Sequence, residues 1–224
     1  MFRTITLAAA VALASNAAVA EIDLGLTSPG VGEASYAVTI TNLTPGQTFT
    51  PQLLVTHPAA IALFEIGAAA SEELAILAEG GNTIPLMDLA IGAGAYATTI
   101  DGLLAPGAST SGVIDAVEGD VLSIAAMLIP TNDTFVALDS MPLPMEGSVT
   151  YYLKAYDAGT EENDQRCRNI PGPVCGGEGV SVPADGDEGF VHVSNGFHNL
   201  RGNALKPEDY DWRNPVAKVP VTVM

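Results

Sequence analysis

The chain has 224 residues, with 26 Asp and Glu against 8 Lys and Arg, a formal net charge of -18. Nucleic acid and anionic membrane surfaces carry the same sign, so the balance disfavours both as partners and favours cations. Once a leader is set aside, the length suits one domain with a core of its own.

The first twenty residues read as that leader. Arg3 supplies a positive start, residues 5–14 are an apolar run too short to span a bilayer, and Ala18-Val19-Ala20 fits a small-x-small cleavage pattern. The mature chain then begins at Glu21 as a secreted or periplasmic protein. No membrane span is expected after leader removal.

Tyr36, Val38 and Ile40 alternate with Ala37, Thr39 and Thr41, the period of a half-buried strand. Pro45-Gly46 marks a turn. A second strand follows over 49–56, with Pro51 placing an edge or bulge at its start. Residues 60–94 change character. Ser71 is a helix N-cap ahead of Glu72 and Glu73, Gly80-Gly81 stops that helix, and a second short helix runs over 85–91. The segment is expected to be a helical insertion between strands.

Strands resume at 95–100, 111–117 and 121–128, then at 135–138, 149–156, 190–193 and 216–223. The 121–128 run is nearly all apolar, so it reads as a central strand covered on both faces. Residues 157–189 are mainly acid, Gly and Pro, a long loop. Cys167 and Cys175 close a small part of it; in an exported protein such a pair points to a disulfide. Many short strands and few helices give an all-β expectation, an antiparallel β-sandwich with a short helical insertion.

Tyr156-Asp157-Ala158-Gly159-Thr160-Glu161 follows a predicted strand, and its two carboxylates can converge if the chain curls; calcium takes several such oxygens. The spacing is not that of an EF-hand. Asp133 follows another strand, and in a sandwich the two loops can share a pole. Asp139, Asp185, Asp187 and Glu188 compete for the same role. His57, His192 and His198 are scattered, and their spacing does not require a shared metal. His192 is expected on a strand face. Trp212 is expected to pack a C-terminal strand on the core, against a sugar platform as the other reading. No Gly-x-Ser-x-Gly elbow and no phosphate-cradling glycine loop with its lysine occurs. The chain is therefore read as a non-enzyme.

Thr131-Asn132-Asp133-Thr134-Phe135-Val136-Ala137-Leu138-Asp139-Ser140 and Ala155-Tyr156-Asp157-Ala158-Gly159-Thr160-Glu161 resemble the paired signatures of the spondin N-terminal domain family. Tyr36 to Gln47, Thr56-His57-Pro58, Ile170-Pro171-Gly172-Pro173 and Asp211 to Ala217 match in the same order. The resemblance covers nearly all of residues 21–224. It implies a sandwich akin to calcium-binding C2 domains and one Ca2+ held by Asp133, Asp157 and Glu161, with Glu161 where the family often has Asp. It also implies an adhesion or ligand-binding role. The partner is not implied by the resemblance; an extracellular or envelope protein or glycan is expected, and calcium, if bound, is expected to be structural. A secreted metal-dependent hydrolase and an acidic structural envelope protein are the alternatives.

Overall fold

The computed structural model describes residues 32–181, 186–200 and 204–224. The leader expected over 1–20 lies outside them, as does Asp185. Among the described residues, ten strands and three α-helices follow in chain order, with one short 3-10 turn at Cys167–Asn169. Strands β1 (Glu33–Asn42), β2 (Thr48–Phe49) and β3 (Gln52–His57) come first. Helices α1 (Glu72–Gly80) and α2 (Ile84–Gly92) are next. Strands β4 (Tyr96–Ile100), β5 (Ser109–Val117), β6 (Val121–Ile129), β7 (Thr134–Pro142) and β8 (Ser148–Asp157) form the middle of the chain. The end holds β9 (His192–Val193), α3 (Pro207–Tyr210) and β10 (Ala217–Val223).

The strands form one antiparallel sheet in the order β4-β3-β6-β7-β8-β10-β1-β5, with β2 paired to β6 and β9 to β8. The sheet curls until its two ends nearly meet, a barrel-like closure. Thr56 of β3 donates to the carbonyl of Asp115 of β5 at 2.5 Å, and Tyr96 of β4 donates to Glu33 of β1 at 2.7 Å. Gly112 of β5 lies against β4. A Cβ there would lie 2.7 Å from the Ile100 side chain of β4, so the absence of a side chain lets the strands pass.

Strand β6 explains how the core divides. Eight of its nine residues are buried. Leu122, Ile124, Ala126 and Leu128 point into the space enclosed by the curled sheet, with Val38, Ile40, Phe49, Val136 and Val219. Ala125 faces the other way, with Leu53, Val55, Phe135 and Ala137, and is covered by Leu74 and Leu77 of α1 and Leu86 of α2. A strand covered on both faces has no reason to alternate, hence its unbroken apolar sequence.

The helices form as their termini direct. The Ser71 hydroxyl accepts the Leu74 N–H at 3.1 Å, Glu72 and Glu73 lie in the first turn, and Gly81 ends α1 in the left-handed region at φ 68°. Pro85 lies in the first turn of α2. The single strand expected over 49–56, with an edge or bulge at Pro51, is instead two strands, β2 and β3, with Pro51 between them, where its missing N–H cannot join a ladder. Strand β7 runs longer than the expected 135–138, because β6 continues to pair with it as far as Pro142. The strand expected over 190–193 shrinks to His192–Val193, where β8 supplies partners. The four-residue helix α3 was not expected, although Pro207 at its start and Glu208 and Asp209 in its first turn are helix-start signals.

Candidate functional site: an acidic pole at the ends of β6, β7 and β8

Asp133 lies in the turn from β6 to β7, and Asp157 is the last residue of β8. Thr134 pairs with Asp157 across the ladder, and the Ala158 N–H donates to the Asp133 carbonyl at 3.2 Å. The chain after β8 then folds back over Asp133. The backbone amides of Thr160 and Glu161 both donate to Asp133 Oδ2, at 2.8 and 3.1 Å. Asp157 Oδ1 accepts the Gly159 N–H at 2.9 Å, and Oδ2 accepts Asn163 Nδ2 at 2.8 Å. The two sequence motifs are thus stitched together by hydrogen bonds from one to the carboxylates of both.

All three expected ligand residues are buried. Asp133 Oδ1 and Glu161 Oε2 have no hydrogen-bond partner among the described residues. Among the described residues the ion pairs are Arg166–Asp164, His192–Asp157 and Arg213–Asp211, so neither Asp133 nor Glu161 has a basic partner. Burial, with the charge of Asp157 added, pushes the Asp133 carboxyl well above the ordinary range, against the Thr160 and Glu161 amides. Burial raises Glu161 to about 7 against a Ser181 hydrogen bond, with Glu79, Asp164 and Asp187 adding to the rise. Asp157 is also raised by burial, opposed by Asn163, His192 and Gly159. Buried carboxylates without countercharge are costly, and a cation at this pole removes that cost.

A second network braces the turn beside Asp133. Asn132 Nδ2 donates to Asp164 at 3.2 Å, and Asn132 Oδ1 accepts the Gln165 N–H at 3.0 Å. Gln165 in turn exchanges hydrogen bonds with the His198 backbone, at 2.7 and 2.8 Å. The long loop expected over 157–189 is therefore tied to the turn carrying Asp133. A disulfide joins Cys167 and Cys175, the pairing expected from their spacing.

Other candidates fall elsewhere. Asp139 is exposed on β7 and takes a hydrogen bond from Ser140. His57 is buried against Ser123 Oγ at 2.8 Å. Trp212 is buried in the main core beside Phe197, as expected of a packing residue. Glu188 is a competing candidate in the sequence and His192 is not; that the two meet at Asp157 has no sequence signal. Ladder pairing sets His192 opposite Asp157, with Nε2 3.4 Å from Asp157 Oδ1. Asn163 Nδ2 bridges Asp157 to Glu188 Oε1 at 3.1 Å. Among the described residues, Asp157, Glu188 and His192 form a group whose ligand atoms all lie within 4.8 Å of one another. Alternation in Phe190-Val191-His192-Val193 marked His192 as facing away from Val191, but only the pairing register shows what it faces.

The fold and this pole define the class: an antiparallel β domain with buried carboxylates gathered where two strand-end loops meet. The family model Spondin_N matches residues 39–165, and the chain belongs to the spondin N-terminal domain family. No curated protein matches the chain.

Proposed function

We propose that this chain is a secreted or periplasmic binding module, a C2-like sandwich in architecture, stabilised by one calcium ion and without catalytic activity of its own. Asp133, Asp157 and Glu161 are the residues that would hold the ion. The observation that carries the reading is the pair of buried, unpartnered carboxylate oxygens, Asp133 Oδ1 and Glu161 Oε2. Hard oxygen donors of this kind fit calcium, which takes six to eight of them, carbonyls and waters included. Bound there, calcium supplies positive charge that offsets repulsion among the three carboxylates. The chain's own part is to hold Asp133 by the Thr160 and Glu161 amides and Asp157 by Asn163, so that the two loops form one rigid end of the sheet. That rigid end is the surface offered to an extracellular or envelope protein or glycan.

A thermal melt after chelator treatment, with calcium and then magnesium restored, tests the reading. A calcium-selective rise in Tm, growing with free calcium by mass action, supports it. No rise, or the same rise with any salt, removes the metal from it. A metal-dependent hydrolase is the second reading, favoured by the convergence of His192 on Asp157. Zinc-dependent turnover of an ester or peptide panel, lost in His192→Gln, would replace the first reading with the second.

A further inference from the structure

The His192 ring is oriented by its own backbone neighbour. Its Nδ1 lies 3.1 Å from the Val193 carbonyl oxygen, which can only accept, so Nδ1 carries the proton. In the neutral ring Nε2 is then a bare lone pair. That atom is buried, makes no hydrogen bond among the described residues, and lies 3.4 Å from Asp157 Oδ1. Two lone pairs facing each other at that distance repel; a proton on Nε2, which makes the ion pair with Asp157, or a metal cation between the two atoms reverses the sign. A zinc ion bound tetrahedrally to one nitrogen and one oxygen separates them by about 3.3 Å, given its ordinary bond lengths.

From this geometry we infer that Asp157, Glu188 and His192 form a site for a borderline-soft divalent ion of the zinc class, separate in donor chemistry from the oxygen-only calcium pole. The third ligand is Glu188, exposed and held within reach by Asn163. An imidazole with its far nitrogen donated to a carbonyl is the usual arrangement of a zinc-bound histidine. Exposure of Glu188 gives the ion a path from solvent and leaves room for water at the fourth position. Phe190, with its ring 5.3 Å from that of His192, shields the other side. Glycine at 159 is required for the segment to seat. Its φ is +66°, and a Cβ there would lie 2.3 Å from the Phe190 carbonyl oxygen. The site shares Asp157 with the calcium reading but does not depend on it.

The test is calorimetric titration of the chelator-stripped full chain with zinc chloride, with cobalt(II) substituted as a spectroscopic probe. One zinc per chain and an intense tetrahedral cobalt spectrum are expected. His192→Gln should weaken zinc by more than roughly 100-fold, beyond the range typical of a merely outer-shell group. Glu188→Gln should weaken it by roughly 10-fold or more. The calcium-induced rise in Tm should survive both variants. No zinc binding, or wild-type affinity in His192→Gln, overturns the inference. Should either variant melt early, the wild-type His192 ring nitrogens followed by NMR answer the same question: an Nε2 resonance unmoved by zinc overturns it. Asp133→Asn separates the two readings. Loss of its calcium response with zinc binding intact supports a distinct zinc site. Loss of zinc binding together with calcium, in a folded Asp133→Asn, overturns it.

Discussion

The backbone N–H of Glu161 donates to Asp133 Oδ2 at 3.1 Å, joining residues 28 apart in sequence at one buried point. The bond satisfies one oxygen of Asp133 and leaves the other without a partner. The Glu161 carboxylate itself interacts with Ser181, Glu79, Asp164 and Asp187, and is the last of the charges that raise Asp133. A backbone donor thus holds two buried carboxylates on neighbouring segments, which is favourable as built only if protons or a metal ion neutralise them.

Replacing Asp133 by Asn tests that arrangement at nearly constant volume. The side-chain oxygen can still accept the Thr160 and Glu161 amides, while the orphaned carboxylate oxygen is gone. Apo stability should change by about 1 kcal/mol or less. The calcium-induced rise in Tm should be lost, as read by calorimetric melts with and without calcium.

Without metal, stability should fall as pH rises. Glu161 has a folded-state value of about 7 against an ordinary 4.5. Between those values the folded chain holds more protons than the unfolded one, so the unfolding free energy declines with pH. The stability present below about pH 4.5 is lost as pH passes through about 7, on the order of 1–3 kcal/mol in all. Asp133 and Asp157, also raised, act in the same direction. Urea unfolding of the chelated protein between pH 4 and 8 checks this, roughly spanning the window set by those values. Glu161→Gln should flatten the profile, and calcium should reverse its slope.

Gly159→Ala should cost about 2–3 kcal/mol, because it combines a left-handed backbone with a clash against the Phe190 backbone. Its signature should be local: faster hydrogen exchange at Gly189, whose N–H donates to the Gly159 carbonyl at 2.8 Å, than in β6.

The double replacement of Cys167 and Cys175 by Ser should lower stability by about 2–3 kcal/mol, the value for closing a short loop. Denaturant titration of the oxidised, reduced and variant chains checks it. The reduced wild type and the variant should coincide.

Truncating the hydroxyl of Ser71 removes the α1 N-cap and should cost about 1 kcal/mol. Helices α1 and α2 cover the outer face of β3, β6 and β7, and α1 also carries Glu79, whose charge reaches Glu161, so the calcium response should change only as far as Glu79 is displaced. A chemical melt paired with a calcium titration separates the two effects.

Much of the fold was legible because its signals are local. Period-two alternation marked β1, the Ser71 cap and Gly80-Gly81 bracketed α1, and Pro51 marked an irregularity where the structure has the break between β2 and β3. The apolar run of β6 announced a strand covered on both faces. Strand β7 and the segment at 190–193 were misjudged in length, because a strand extends as far as its neighbour can pair, which is not a property of its own sequence. The closing of the sheet, with β5 passing over β4 at Gly112, depends on twist accumulated over eight paired strands.

By itself the sequence determined an acidic chain of short strands, a helical insertion, a disulfide-capable pair of cysteines, and the two motifs that carry Asp133, Asp157 and Glu161. Those features follow from side-chain chemistry and spacings of a few residues. Only the tertiary structure decided that the amides of 160 and 161 cap Asp133, that two buried carboxylate oxygens are left unpartnered, and that His192 faces Asp157. Residue 192 reaches 157 by strand register, and register is fixed by the packing of the whole sheet rather than by the residues that it brings together.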